Sequence, residues 1–144
     1  MSICNIKIQF YDNEIDGFSL ADLTIEIDET VFSTKKNVKY RLMIFIVLTD
    51  LLDGLMKLLK KQKKEYKLLS ISSSFYLNFF IKDDYIFLVD EMKEKKVLIS
   101  QFINSLNIEL YQLYNLVKDK EDAAIEDFLE AYFSFKSLLK SLKI

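Results

Sequence analysis

Residues 75–89 read FYLNFFIKDDYIFLV. Phe75–Ile81 and Tyr85–Val89 are runs of aromatic and β-branched side chains, the types that suit a pleated, packed surface. The Lys82-Asp83-Asp84 connection between them is short enough for a hairpin. Both runs are nearly apolar on both faces, which is the character of central strands. The spacing therefore predicts an antiparallel sheet built around this hairpin, with a further strand at Lys96–Ile99 after the charged turn DEMKEK.

Upstream, strand signals begin in the LLSISSS stretch, whose serines Ser70, Ser72, Ser73 and Ser74 have no nucleophile elbow and no histidine beside them, so they read as structural. Before that, from about Val38 to Lys64, no turn signal intervenes. Leu42, Phe45, Ile46, Leu48, Leu52, Leu55, Met56 and Leu59 recur there at helical spacing, which predicts one long central helix. In the first third, Ile6, Ile8 and Phe10 alternate with Lys7, Gln9 and Tyr11, and Leu23, Ile25 and Ile27 alternate with Thr24, Glu26 and Asp28. A tight turn at Asp28–Thr30 leads into Val31-Phe32, so this region reads as an antiparallel meander.

Beyond residue 100 the pattern is helical. Phe102, Leu106, Leu110, Leu113 and Val117 mark one apolar stripe, and Ile125, Phe128, Leu129, Tyr132, Phe135, Leu139 and Leu142 mark another. Asp119 and Asp122 supply capping oxygens between them, and periodicity leaves open whether the two stripes belong to one helix or two. The fold class is α+β: antiparallel strand meanders packed against a long central helix and C-terminal helices. Residues 1–144 are expected to form one domain, since half the chain is hydrophobic, proline is absent and only Gly17 and Gly54 could loosen a linker.

Composition narrows the chemistry. With no histidine, the commonest general base and transition-metal ligand is missing, and the single Cys4 permits neither an internal disulfide nor a thiolate cluster. Two isolated glycines cannot build a phosphate-cradling loop. Carboxylates remain, in two groups: Asp12, Glu14, Asp16 with Asp22, and Asp83, Asp84 with Asp90, Glu91. Neither has calcium-loop spacing, and aspartate in turns commonly serves the backbone. No enzyme, cofactor or metal is expected. The apolar core Leu42–Leu48 is too short for a membrane span and is followed by Asp50 and Asp53. The N-terminus lacks the features of a secretory signal, which makes the cytoplasm the expected location. Lys57 to Lys67 form a basic stretch, but Arg41 is the only arginine and the overall charge is acidic, so nucleic acid is not an expected partner.

Charge is instead segregated along the chain. Residues 1–34 carry seven acids and one lysine, a balance of −6, and residues 35–67 carry ten basic and three acidic residues, a balance of +7. Either these segments form separate faces that steer a partner, or they pack side by side and neutralise each other.

The order of elements carries a resemblance. A meander containing DLTIEIDETVF, an amphipathic helix, a second meander containing FYLNFFIKDDYIFLV and C-terminal helices together look like the small cytoplasmic immunity proteins that accompany bacterial polymorphic and interbacterial toxins. The resemblance is one of layout, size and composition, and no diagnostic motif carries it. It implies a protein that binds one cognate toxin and blocks it. The expected contacts are the polar edge of Asp12, Glu14, Asp16 and Asp22 and the turns holding Asp83, Asp84, Asp90 and Glu91. The alternative is a structural or adaptor subunit, or a homodimer using some of the chain's twelve Phe and eight Tyr.

Overall fold

In the computed structural model, which describes residues 3–69 and 75–144, the alternating segments become two antiparallel sheets of four strands each and the periodic ones become three helices. The first sheet contains β1 (Cys4–Phe10), β2 (Leu20–Ile27) and β3 (Thr30–Ser33), with the two-residue β4 (Leu42–Met43) also pairing with β2. Ile6 lies opposite Ile25 and Ile8 opposite Leu23, so the apolar side chains share one face. The turn between β2 and β3 holds only Asp28 and Glu29, because Ile27 pairs with Thr30. Asp28 adopts φ 55°, a left-handed conformation that aspartate tolerates better than most residues.

The central helix, α1 (Ile44–Leu59), is shorter than its hydrophobic period suggests. Residues 34–40 form two single 3₁₀ turns, and Leu42 and Met43 are drawn into pairing with Ala21 and Leu20. The helix starts where the Ile44 N–H finds the carbonyl of Ser19, at 3.2 Å. It ends without glycine or proline. Lys61 turns left-handed at φ 60°, and the Lys61 and Gln62 N–H groups close back on the carbonyls of Leu58 and Lys57, a Schellman arrangement. Lys63 and Lys64 consequently belong to the connection into β5 (Glu65–Leu69), not to the helix.

The second sheet has the order β5-β6-β7-β8, with β6 Tyr76–Lys82, β7 Tyr85–Val89 and β8 Glu94–Leu98. The predicted hairpin is present, with Phe80 opposite Phe87 and Lys82 opposite Tyr85. Its expected burial on both faces is not. Leu77, Phe79, Ile86, Leu88 and Val97 point into the core, whereas Tyr76, Phe80, Tyr85 and Phe87 are only partly covered on the opposite face. The rings of Phe80 and Phe87 stack on each other at 4.6 Å, so cross-strand pairing supplies the cover that a second layer would otherwise provide. The four serines at 70 and 72–74 lie outside the described residues.

Two separate C-terminal helices follow, α2 (Ile99–Val117) and α3 (Ala123–Leu142). The α2 helix lies against β1, β7 and β8, and α3 against α1. Phe45 of α1 meets Phe128 of α3 edge-on at 5.3 Å, and Phe79 of β6 meets Phe102 of α2 likewise at 6.0 Å. One aromatic-rich core thus joins both sheets to all three helices. The α2 helix also covers the edge of β1: Ser105 donates to the Cys4 carbonyl, and Glu109 accepts from the Ile8 N–H at 3.3 Å. Edge groups left bare would template pairing with another chain.

Candidate partner-binding surface

The β1–β2 loop carries Asp12, Glu14 and Asp16, all exposed. Its tip, residues 16–19, is tightly determined. Ser19 N–H donates to the Asp16 carbonyl at 3.2 Å, Asp16 N–H to Ser19 Oγ at 2.8 Å and Phe18 N–H to Asp16 Oδ1 at 2.8 Å. Gly17 N–H donates to Asp122 Oδ2 at 3.0 Å. Only glycine fits there, since a Cβ on residue 17 would lie 2.0 Å from Asp122 Oδ1. Asp122 also caps α3 through the N–H groups of Ala124 and Ile125. The Gly17 N–H and then these helix donors hold its carboxyl below the usual aspartate range. The consequence is a braced turn from which Phe18 projects with 69% of its surface exposed. Sequence reading passed over Phe18; an aromatic directly after glycine in a polar loop was the available signal.

Asp22 does not belong to this surface. It is 3% exposed, accepting from Thr34 Oγ1 at 2.7 Å and from the Tyr11 hydroxyl. Alternation along β2 puts it on the face opposite Leu23, where Tyr11 and Thr34 cover it, and Thr34, itself fully buried, also accepts the Leu23 N–H. Arg41 lies over the Tyr11 ring at 3.6 Å, adding a cation to the outside of this network. Asp22 is an internal brace, where the sequence had suggested a contact residue.

The second acidic group is likewise divided. Asp83 and Asp84 form the β6–β7 turn, Asp83 at φ 56°, while Asp90 and Glu91 lie at the far end of β7, a strand of five residues and so about 17 Å long. Asp90 accepts from the N–H groups of Met92 and Lys93 and pairs with Lys93 Nζ at 3.3 Å. Burial alone would raise its carboxyl, but these donors outweigh it and hold the group low. Asp90 and Glu91 border a small cavity of about 120 Å³ with Tyr40, Phe75 and Tyr76. That volume suits one side chain better than a drug-sized ligand.

Part of the charge segregation survives folding: Lys35, Lys39 and Arg41 precede α1 at the end that holds the acidic loop, Arg41 over Tyr11, whereas Lys57, Lys60, Lys61, Lys63 and Lys64 lie toward its other end. The Ile44 N–H at the start of α1 is bonded to Ser19, and Asp122 at the start of α3 to Gly17, so the acidic loop sits at the N-terminal ends of both helices. Lys60 borders a groove shared with Leu138 and Ser141, which places the two C-terminal ends together. The helices are therefore parallel. With 16 residues, α1 separates the acidic end from the Lys60–Lys64 end by about 24 Å. Acids at the positive ends of helix dipoles and lysines at the negative ends are each favourable locally, which accounts for the layout in part. The ion pairs among the described residues are Lys57–Asp53, Lys93–Asp90 and Lys95–Asp28, and none joins Asp12, Glu14 or Asp16 to the lysine stretch.

Glu109 offers a test of the covered β1 edge. Burial pushes its carboxyl up, partly offset by the Ile8 N–H and by Lys7. A raised acid contributes stability that is complete below its unfolded value of about 4.3 and fades as pH rises through the folded value. Glu109→Gln keeps the acceptor and removes the charge. It is expected to match or exceed the parent by a few tenths of a kcal/mol at pH 7, the gain being small because solvent screens a partly exposed group. The advantage should vanish near pH 4 in urea titrations; a variant weaker than the parent at pH 7 would contradict this. Cys4, on the same strand, is half-buried, and its thiol is pushed up by burial, which disfavours the reactive thiolate.

Among the described residues no group of carboxylates and cysteine is arranged to hold a metal ion, and no helix is long and apolar enough to cross a membrane. Comparison with known proteins found no matching family model, no matching curated protein and no matching solved structure.

Proposed function

We propose that this chain is a non-catalytic protein-binding protein of the immunity type, which neutralises a cognate toxin in the cytoplasm by docking through the loop from Asp12 to Leu20. The observation that carries the reading is the braced 16–19 turn: four hydrogen bonds and a close glycine contact hold a turn whose one large apolar side chain faces solvent. An aromatic anchor presented without conformational cost is the kind of residue that dominates interface energetics. Tyr11 and Leu20, also exposed, extend the apolar surface beside it, and Asp12 and Glu14 supply the charge that accelerates encounter with a basic partner.

Phe18→Ser is expected to weaken the complex by about 2 kcal/mol, roughly thirtyfold in Kd, with little change in folding stability because the ring is exposed. Asp12→Lys with Glu14→Lys should instead slow association and flatten its salt dependence. The experiment is affinity capture from the native host with wild-type and variant chains side by side, identification of the captured protein, then kinetics on the purified pair and a toxicity-rescue assay. Equal capture by wild type and Phe18→Ser would remove the loop from the interface. A captured protein that is not toxic when expressed alone would end the immunity reading.

A further inference from the structure

At the end of the molecule opposite the Phe18 turn, the left-handed Lys61 swings the chain back toward β6, and the connection lays Lys63 and Lys64 beside the end of that strand. Lys61, Lys63, Lys64 and Lys82 line a cleft of about 720 Å³ with Leu58 and Phe80, and Asp83 is the acidic residue of that lining, with exposed Glu65 and Asp84 next to it in the chain. Four ammonium groups beside apolar side chains call for an occupant with negative charge on its rim and an apolar centre. The acidic turn of this same chain has that composition: Asp12 and Glu14 exposed, with Phe18 between them and the strand. The two surfaces stand about 24 Å apart along α1 in one molecule, so they can meet only between molecules.

We propose that the chain recognises a second copy of itself, the Phe18 turn of one copy seating in the lysine-rimmed cleft of the next. The contact is heterologous, joining two different patches. Its attraction is between exposed charges, so it strengthens at low ionic strength and is screened once the Debye length falls below about 10 Å. This inference does not rest on the toxin-binding reading, because it is tested on the purified chain alone and stands or falls without any partner.

The test is sedimentation equilibrium of the whole protein at about 0.02 M and about 0.5 M salt, across concentrations up to about 1 mM. Wild type should rise above its 17.0 kDa chain mass with concentration at low salt and fall back toward it at high salt. Asp12→Lys with Glu14→Lys, and separately Lys63→Glu with Lys64→Glu, should each stay at chain mass. An equimolar mixture of the two charge-reversed proteins should associate again, since each reversed patch then faces its complement. Phe18→Ser should weaken association at least tenfold. All these positions are exposed, and circular dichroism checks that the variants are folded. Wild type remaining at 17.0 kDa throughout would overturn the proposal. So would association that survives both reversals, or a mixture that fails to recover it.

Discussion

Asp22→Ala is expected to lower the unfolding free energy by about 3 kcal/mol, seen as an earlier urea midpoint with an unchanged slope. The carboxylate accepts from Thr34 Oγ1 and from the Tyr11 hydroxyl, and Thr34 is fully buried. Removing it strands the Thr34 hydroxyl donor away from water, at a cost of about 1–3 kcal/mol, and the lost bond from the better exposed Tyr11 brings the total to the upper end of that range. Tyr11 is less affected because the residue is 45% exposed. Asp22→Asn, which keeps one acceptor oxygen, should cost less than half as much. Under conditions where Asp22→Ala remains folded, its partner affinity should equal that of wild type, unlike that of the loop variants. A variant with an unchanged midpoint and lost binding would return Asp22 to the contact surface.

Gly54→Val should destabilise by a comparable amount, roughly 3 kcal/mol. Gly54 lies within α1, where glycine costs about 0.5–1 kcal/mol relative to alanine, so its presence needs a reason. The reason is Tyr66. A Cβ at residue 54 would lie 2.3 Å from Tyr66 Cδ1 and 2.4 Å from Cε1. The ring cannot retreat easily, because its hydroxyl donates to Asp50 one helical turn earlier and its face stacks on Phe79 at 6.0 Å. Burial first, and then the neighbouring carboxylate of Asp50, push that hydroxyl's pKa far up and keep it a donor at every physiological pH. Combining Gly54→Val with Tyr66→Ala should recover at least 1 kcal/mol relative to additivity, since the second change removes the ring that the first strikes. Strict additivity would show that the clash is relieved elsewhere. Because Tyr66 anchors β5 to α1, Gly54→Val should also disturb the Lys61–Lys64 connection and with it the lysine-rimmed cleft.

Both predictions depend on neighbours remote in sequence, and the same division runs through the fold and the candidate site. Local order was readable. Alternation located β1 and β2, two Asp-containing turns located the hairpins at Asp28 and Asp83, and helical periodicity identified most of the buried stripes of α2 and α3, though it passed over buried Ile103 and included Leu142, which is 42% exposed. These features follow from backbone geometry and side-chain spacing over a few residues, which a linear pattern records. The extent of α1 was not readable. A stretch with helical spacing was diverted at Leu42–Met43 by pairing with Leu20–Ala21, and the helix was stopped by a left-handed lysine where glycine would be the usual marker.

For the site, sequence alone established the inventory: an acidic loop, a basic stretch, and no histidine or cysteine cluster for chemistry. Tertiary structure decided which members face outward. It buried Asp22 against Thr34, put Asp83 and Asp90 at opposite ends of a strand, braced Phe18 against the α3 cap, and set acids and lysines at opposite ends of two parallel helices. The physical reason is that composition counts charges and rings, whereas binding depends on exposure and relative position. Both are set by long-range packing, here by α3 returning to lie parallel to α1 and by the Asp122 carboxylate meeting Gly17 across 105 residues of chain.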